Sequence, residues 1–114
     1  MLMKRQKHED HRGWVIEAWR ASEGFGCQQV TLVGCAPGIW KGLHFHPRKA
    51  SVWMCAGGRL LARVGDSVVP LAAGDGVLLA IPPGVPHDVM GLAKRNVLVE
   101  LDNEEFVEGD KVRL

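Results

Sequence analysis

The sequence predicts a small single-domain all-β protein, a sandwich or barrel of short strands, and three observations predict it. The chain has 114 residues, room for one domain and one core. Its 14 Gly and 6 Pro punctuate the chain at intervals of roughly 8–12 residues, the cadence of short strands joined by turns. No stretch shows the apolar period of an amphipathic helix of ordinary length. Hydrophobic residues make up 46% and charged ones 24%, a globular balance that excludes disordered and fibrous classes.

The elements follow in order. Residues 1–12 (MLMKRQKHEDHR) read as a polar N-terminal arm, and residues 13–114 as the folded barrel. Residues 14–19 (WVIEAW) form one short strand, ended by the turn formers of 23–26. Residues 30–33 are mostly β-branched and apolar, and Pro37-Gly38 turns the chain. Residues 41–46 (KGLHFH) alternate, with Leu43 and Phe45 on one face and His44 and His46 on the other. The run 51–55 (SVWMC) is a strand broken by Gly57-Gly58. Residues 60–64 and 67–71 flank Gly65-Asp66, a hairpin signal. Residues 77–81 are continuously apolar until Pro82-Pro83-Gly84 stops them. Strands at 87–90 and 97–101 complete the series, and 104–114 holds a short helical turn or a last strand.

A formal charge of +1 excludes broad polyanion binding by charge alone, so no nucleic-acid partner is expected. No apolar run reaches the ~18 residues of a membrane span, and the N-terminal segment lacks the apolar core of a secretory signal. Cys27, Cys35 and Cys55 are odd in number and have no CxxC spacing. They argue for a reducing, cytoplasmic setting rather than a disulfide framework.

Three histidines carry the chemistry. Residues two apart on a strand share a face, so His44 and His46 point the same way. Pro82 and Gly84 shape a turn that aims the next strand, and with it His87, toward that pair. Three converging imidazoles suit either acid/base work or a metal. The spacing is specific: Gly38, five residues, His44, one, His46, four, Ser51, six, Gly58; then Gly76, five, Pro82, one, Gly84, two, His87. This pattern resembles the two motifs of the cupin superfamily, G-x5-H-x-H-x(3,4)-E-x6-G and G-x5-P-x-G-x2-H-x3-N. Ser51 stands in place of the Glu and Gly91 in place of the Asn. The resemblance implies a cupin β-barrel (a double-stranded β-helix, or jelly roll), and homodimers are expected where such a sandwich leaves open edges.

The flanking segments sharpen the resemblance. DHRGWVIEAW, FGCQQVTLV, KGLHFH and IPPGVPHDV are similar to stretches of the nucleotide-sugar 3,5-epimerases, with Asp10, Arg12, Gly13, Trp14, Glu17, Gln28, Gly42, Leu43 and His44 on their pattern. HFHPRK, VWMCAGG and the C-terminal segment resemble the sugar 3,4-ketoisomerases. Both families act on dTDP-linked 4-keto-6-deoxy sugars, where a base removes the proton next to a ketone. The resemblance implies His44 as that base, with His46 and His87 as acid, shuttle or substrate contacts and no cofactor. It implies a substrate contact at Lys41 (a cation); alternation from Ser51 turns Trp53 inward as a stacking face, and Arg63 is a candidate pyrophosphate partner. Arg48 and Arg59 are further candidates, though surface arginines are more often just solvated. Trp53 and Cys55 also fit plain core packing. The epimerases' acid is a Tyr, and this chain has none. Two alternatives stand beside this isomerase reading. One is a metal cupin holding Fe, Ni, Mn or Zn on His44, His46 and His87, as a dioxygenase or a metal-dependent isomerase. The other is a non-catalytic cupin that binds a small molecule.

Overall fold

A computed structural model describes residues 2–114. Twelve strands run in the order β1 (Leu2–Lys4), β2 (Lys7–Asp10), β3 (Gly13–Ile16), β4 (Gln29–Gly34), β5 (His44–Phe45), β6 (Ser51–Gly57), β7 (Arg59–Val64), β8 (Ser67–Ala72), β9 (Val77–Ile81), β10 (His87–Gly91), β11 (Val97–Asp102) and β12 (Val112–Arg113). The one helical element among the described residues is a single 3-10 turn at Ala21–Glu23. Five strands in the order β1-β9-β6-β11-β4 make one sheet, five in the order β12-β5-β10-β7-β8 make the other, and β2-β3 stand apart as a ribbon. Among the described residues no helix is long and apolar enough to cross a membrane.

Alternation builds the core. Trp53 and Cys55 of β6, Leu60 and Ala62 of β7, Leu71 of β8, Leu79 and Ile81 of β9, Val89 of β10 and Leu98 of β11 all bury between the two sheets. The opposite faces of β6, β9 and β11 present Val52, Leu78 and Leu101, which the segment carrying Ala18, Trp19, Phe25 and Cys27 covers. That cover ends short of β4. Val30 and Leu32 point outward from this edge strand with 59% and 71% of their surface exposed.

Four expectations need correction. The polar arm is partly sheet. Leu2, Met3 and Lys4 pair with Leu79, Leu78 and Val77 at the edge of the first sheet, and Met3 packs on the outer apolar cluster. An open sheet edge offers backbone donors and acceptors to any extended segment, so a polar sequence pairs there with one apolar anchor. The boundary at residue 12 also falls inside one unit, because Lys7–Asp10 pairs with Gly13–Ile16 across it. The strand expected over 14–19 ends at Ile16. Trp19 leaves the strand to pack against Phe25, ring centroids 4.8 Å apart, and its Nε1 donates to the Phe25 carbonyl at 2.9 Å. The alternating run 41–46 meets its neighbour strand over His44 and Phe45 only, because Gly42 adopts a left-handed φ of 90° and breaks the extended path.

Asn96 closes the far end of the barrel. Its buried amide donates to the Cys35 and Ala93 carbonyls at 2.9 and 2.8 Å and accepts from the Arg59 and Ala93 amides at 3.1 and 3.0 Å. Gly91 makes room for it: a Cβ there would lie 2.3 Å from Asn96 Nδ2 and 2.4 Å from the Cys35 oxygen. Gly91→Ala is therefore expected to cost about 1–3 kcal/mol or more through overpacking. Gly34→Ala, with nothing within 4 Å of its Cβ, should stay within about 1 kcal/mol of the parent. Urea denaturation of the two variants checks the contrast.

Candidate active site

The register of the second sheet brings the histidines together. His87 opens β10 directly opposite His44 of β5, and His46 follows His44 on the same face. Ring centroids lie 4.5 Å apart for His44–His87, 5.0 Å for His44–His46 and 5.4 Å for His46–His87. One nitrogen from each ring falls within 4.8 Å of the others. The second nitrogen is tied to backbone: Nδ1 of His44, His46 and His87 meets the carbonyls of Gly42, Asp110 and Val85 at 3.1, 2.6 and 2.9 Å. A carbonyl only accepts, so in the neutral ring each Nδ1 carries the proton and each Nε2 keeps its lone pair. His87 is 1% exposed, its ring meets Trp53 edge to face, and its Nε2 has no protein partner. Three inward lone pairs with anchored far nitrogens also make a donor set that fits a borderline divalent ion. His44, His46 and His87 would hold such an ion, whose chemistry would be to polarise a carbonyl.

Burial sets the protonation. It lowers the His87 pKa to about 4, against the pull of the Val85 carbonyl. It also lowers His44, with Lys111 and His46 adding like-charge repulsion. His44 and His87 are thus neutral at neutral pH, and His44 is available as a base.

The rings of His44 and His46 line one wall of a cavity of about 270 Å³ between the sheets, with His87 buried behind them. The other wall comes from Gln29, Thr31 and Val33 of β4, Trp53 of β6, and Leu98 and Glu100 of β11. Lys41, Phe106 and Lys111 stand at the mouth. Beneath the far wall lies a buried charged cluster. Lys49 Nζ sits 3.5 Å from Glu100 and 3.4 Å from Asp102. Glu100 accepts from Trp53 Nε1 at 2.7 Å, and Asp102 from the Ser51 hydroxyl at 2.6 Å. Burial drives the Asp102 pKa up to about 6, with adjacent Glu100 adding to the rise against the Ser51 hydroxyl and Lys49. Burial pushes Glu100 up too, but the Trp53 N–H, Lys49 and Asp102 together hold it below its ordinary value.

Lys41 and Trp53 line the cavity. Arg63 does not. Leu60 and Ala62 of its strand bury inward, so alternation turns Arg63 out, where its Nε bonds Asp88 at 2.7 Å and its guanidinium lies 3.8 Å from the Trp40 ring centroid. Arg48 is exposed and bonds Glu104, and Arg59 is exposed. Gln28 is exposed too; its neighbour Gln29 faces the cavity. Asp10 and Arg12 pair with each other on the ribbon, away from the cavity. Sequence reasoning missed Lys49, Glu100, Asp102, Phe106 and Lys111. A signal for the two acids was present: they lie two apart in an otherwise apolar strand, the same spacing that singled out His44 and His46.

No family model matches the chain, and no curated protein matches it. Solved structures do. A 3'-monoepimerase from Streptomyces bikiniensis, ChmJ in complex with dTDP-quinovose, superposes with a TM-score of 0.91 over 99% of this chain and 68% of its own, at 21% identity. The rmlC epimerase of Mycobacterium tuberculosis gives 0.90 over 99% and 67%, at 19% identity. A double mutant of the QdtA 3,4-ketoisomerase from Thermoanaerobacterium thermosaccharolyticum, in complex with TDP, gives 0.89 over 100% and 86%, at 24% identity. The chain has the cupin fold. In this fold the two motif halves meet, His44 and His46 from the first and His87 from the second.

A histidine whose folded pKa lies below its unfolded value stabilises the protein above the unfolded pKa and loses that contribution as pH falls. For His87 the window runs from 6.5 down to about 4, worth about 3 kcal/mol. Asp102 opposes it, since its raised pKa favours the folded state as pH falls toward 4. The stability difference between parent and His87→Asn isolates the histidine. It should move by up to about 3 kcal/mol in the variant's favour between pH 7 and pH 4, as read by urea denaturation at both pH values.

Proposed function

We propose that this cupin is an isomerase that moves a proton next to the ketone of a nucleotide-linked keto-deoxy sugar. The observation that carries the reading is the set of three imidazoles whose free Nε2 atoms converge at one side of the cavity. The solved structures of like fold support the substrate class, because they include epimerases and a ketoisomerase holding dTDP-quinovose or TDP. The cavity is smaller than the ~300–1,000 Å³ of a drug-sized ligand site. It takes the sugar ring and leaves the nucleotide at the mouth. There Lys41 and Lys111 offer charge to a pyrophosphate, and Phe106 offers a ring face to a base.

In this reading His44 Nε2 takes the proton from the carbon beside the ketone. The C–H electron pair becomes the double bond of an enediolate, and the carbonyl oxygen gains the negative charge. Lys49, buried at the cavity wall, lies where it stabilises that charge. His46 stands beside His44 to relay protons, and His87 backs both rings. Return of a proton to the opposite face gives an epimer; return to the adjacent carbon moves the ketone. The open edge of β4, with Val30 and Leu32 exposed beside it, suits a homodimer. Three free cysteines suit a reducing, cytoplasmic setting.

The test is deuterium uptake from D2O into a dTDP-4-keto-6-deoxy sugar, followed by NMR. The parent should exchange the proton beside the ketone, and His44→Asn should slow that exchange by about 100-fold or more. Exchange undiminished in the variant sinks the assignment of His44. A parent that binds dTDP without exchanging any proton is a binding module instead.

A further inference from the structure

Resting on that reading, the structure points to a second proton-transfer group. An epimerisation needs one on each face of the planar enediolate, because the base that removed the proton can return it only to the side it came from. The histidines belong to one sheet: His44 lies on β5 and His87 on β10, with His46 just beyond β5. The facing sheet must then supply the other group. The chain contains no Tyr, so no phenol is available. On the facing sheet the cavity is lined by Gln29, Thr31, Val33, Trp53, Leu98 and Glu100. Of these only Glu100 holds a proton that it can give up or take back.

We propose that Glu100 is the catalytic residue that delivers a proton to the substrate from the wall facing His44. Its carboxylate is aimed by the Trp53 N–H at 2.7 Å and steadied by Lys49 at 3.5 Å. Asp102, two residues on and fully buried, meets the same Lys49 ammonium at 3.4 Å. Two carboxylates on one ammonium resist a full double charge, and in the proposed step the pair takes up a proton from solvent for Glu100 to deliver. Lys49 is the weaker donor. It lies within 3.5 Å of both carboxylates, and giving up its proton would leave two buried negative charges uncompensated.

The step balances. His44 gains the proton lost from carbon, and the electron pair of that bond forms the enediolate. A carboxyl proton, passed through Glu100, then forms the new C–H bond on the opposite face as the electrons return to the C=O. His44 returns its proton to solvent, and the carboxylate pair regains one from it.

The experiment separates exchange from inversion. Glu100→Gln keeps the size of the side chain and an acceptor for the Trp53 N–H. With the keto sugar in D2O it should still exchange the proton beside the ketone at a rate within about threefold of the parent, while the inverted product forms about 100-fold more slowly or less. Glu100→Asp, which restores a carboxyl, should recover part of the inversion. Product formed at the parental rate by Glu100→Gln overturns the proposal, and it would mark a same-face shift carried by the histidines alone. Equal loss of exchange and inversion also overturns it, by showing that Glu100 only supports the fold; thermal melts of both variants run beside the assay. A parent that exchanges nothing removes the isomerase reading itself. A parent that exchanges and inverts confines any failure to Glu100.

Discussion

Three backbone carbonyls determine what this site can do. Gly42, Val85 and Asp110 each engage one imidazole Nδ1, so the tautomer of every ring is set by the path of the main chain. The carbonyls come from three separate segments: the loop before β5, the turn before β10 and the C-terminal tail. The tail is itself pinned, because the buried Asp110 carboxylate accepts the amides of Arg48 and Lys49 at 3.0 and 3.2 Å. A hydrogen bond of this kind adds only about 0.5–1.5 kcal/mol to stability. Its larger effect is on chemistry, since a ring turned over would point an N–H where the site needs a lone pair.

The opposite wall is organised by charge. Lys49 and Asp102 are 6% and 0% exposed, which is costly to arrange, and a buried ion pair is weak support for stability. The cluster ties β11 to β6 and to the loop before it, and it places a carboxylate in the cavity that the histidines also line. Basic nitrogens with depressed pKa values on one sheet and a buried carboxyl with a raised one on the other are two environments that shift acidity in opposite directions. That separation is the usual mark of an acid/base site.

Much of this was legible from residue order alone. The strand over 77–81 is observed as read, and the hairpin of β7 and β8 follows from apolar runs around Gly65-Asp66. The histidine face follows from a spacing of two. Other features turned on facts that a local pattern does not carry. The edge strand β1 depends on an open ladder elsewhere in the fold, not on its own polar sequence. The position of Arg63 was readable in principle, since Leu60, Ala62 and Val64 claim the inner face of its strand. It was assigned by charge and not by parity. Gln28 and Gln29 show the same failure, because a one-residue shift exchanges the cavity for solvent.

The two departures from the cupin motifs have a common structural answer. Ser51 stands where the motif has a carboxylate, yet Ser51 pairs in register with Asp102 on the neighbouring strand and bonds its side chain at 2.6 Å. The carboxylate has moved one strand over, and Glu100 comes with it on the same face. Gly91 stands where the motif has an amide, and the Asn96 amide fills the space that a Cβ at Gly91 would take. In both cases the residue lost on one strand is replaced by a like group that β11, or the loop leading into it, brings to the same side of the sheet. A motif read by spacing registers only the loss. The replacement lies 51 residues away for Ser51 and five away for Gly91, and only strand pairing makes the two neighbours. A carboxylate is thus present in the barrel beside Ser51, bonded to its hydroxyl and paired with Lys49.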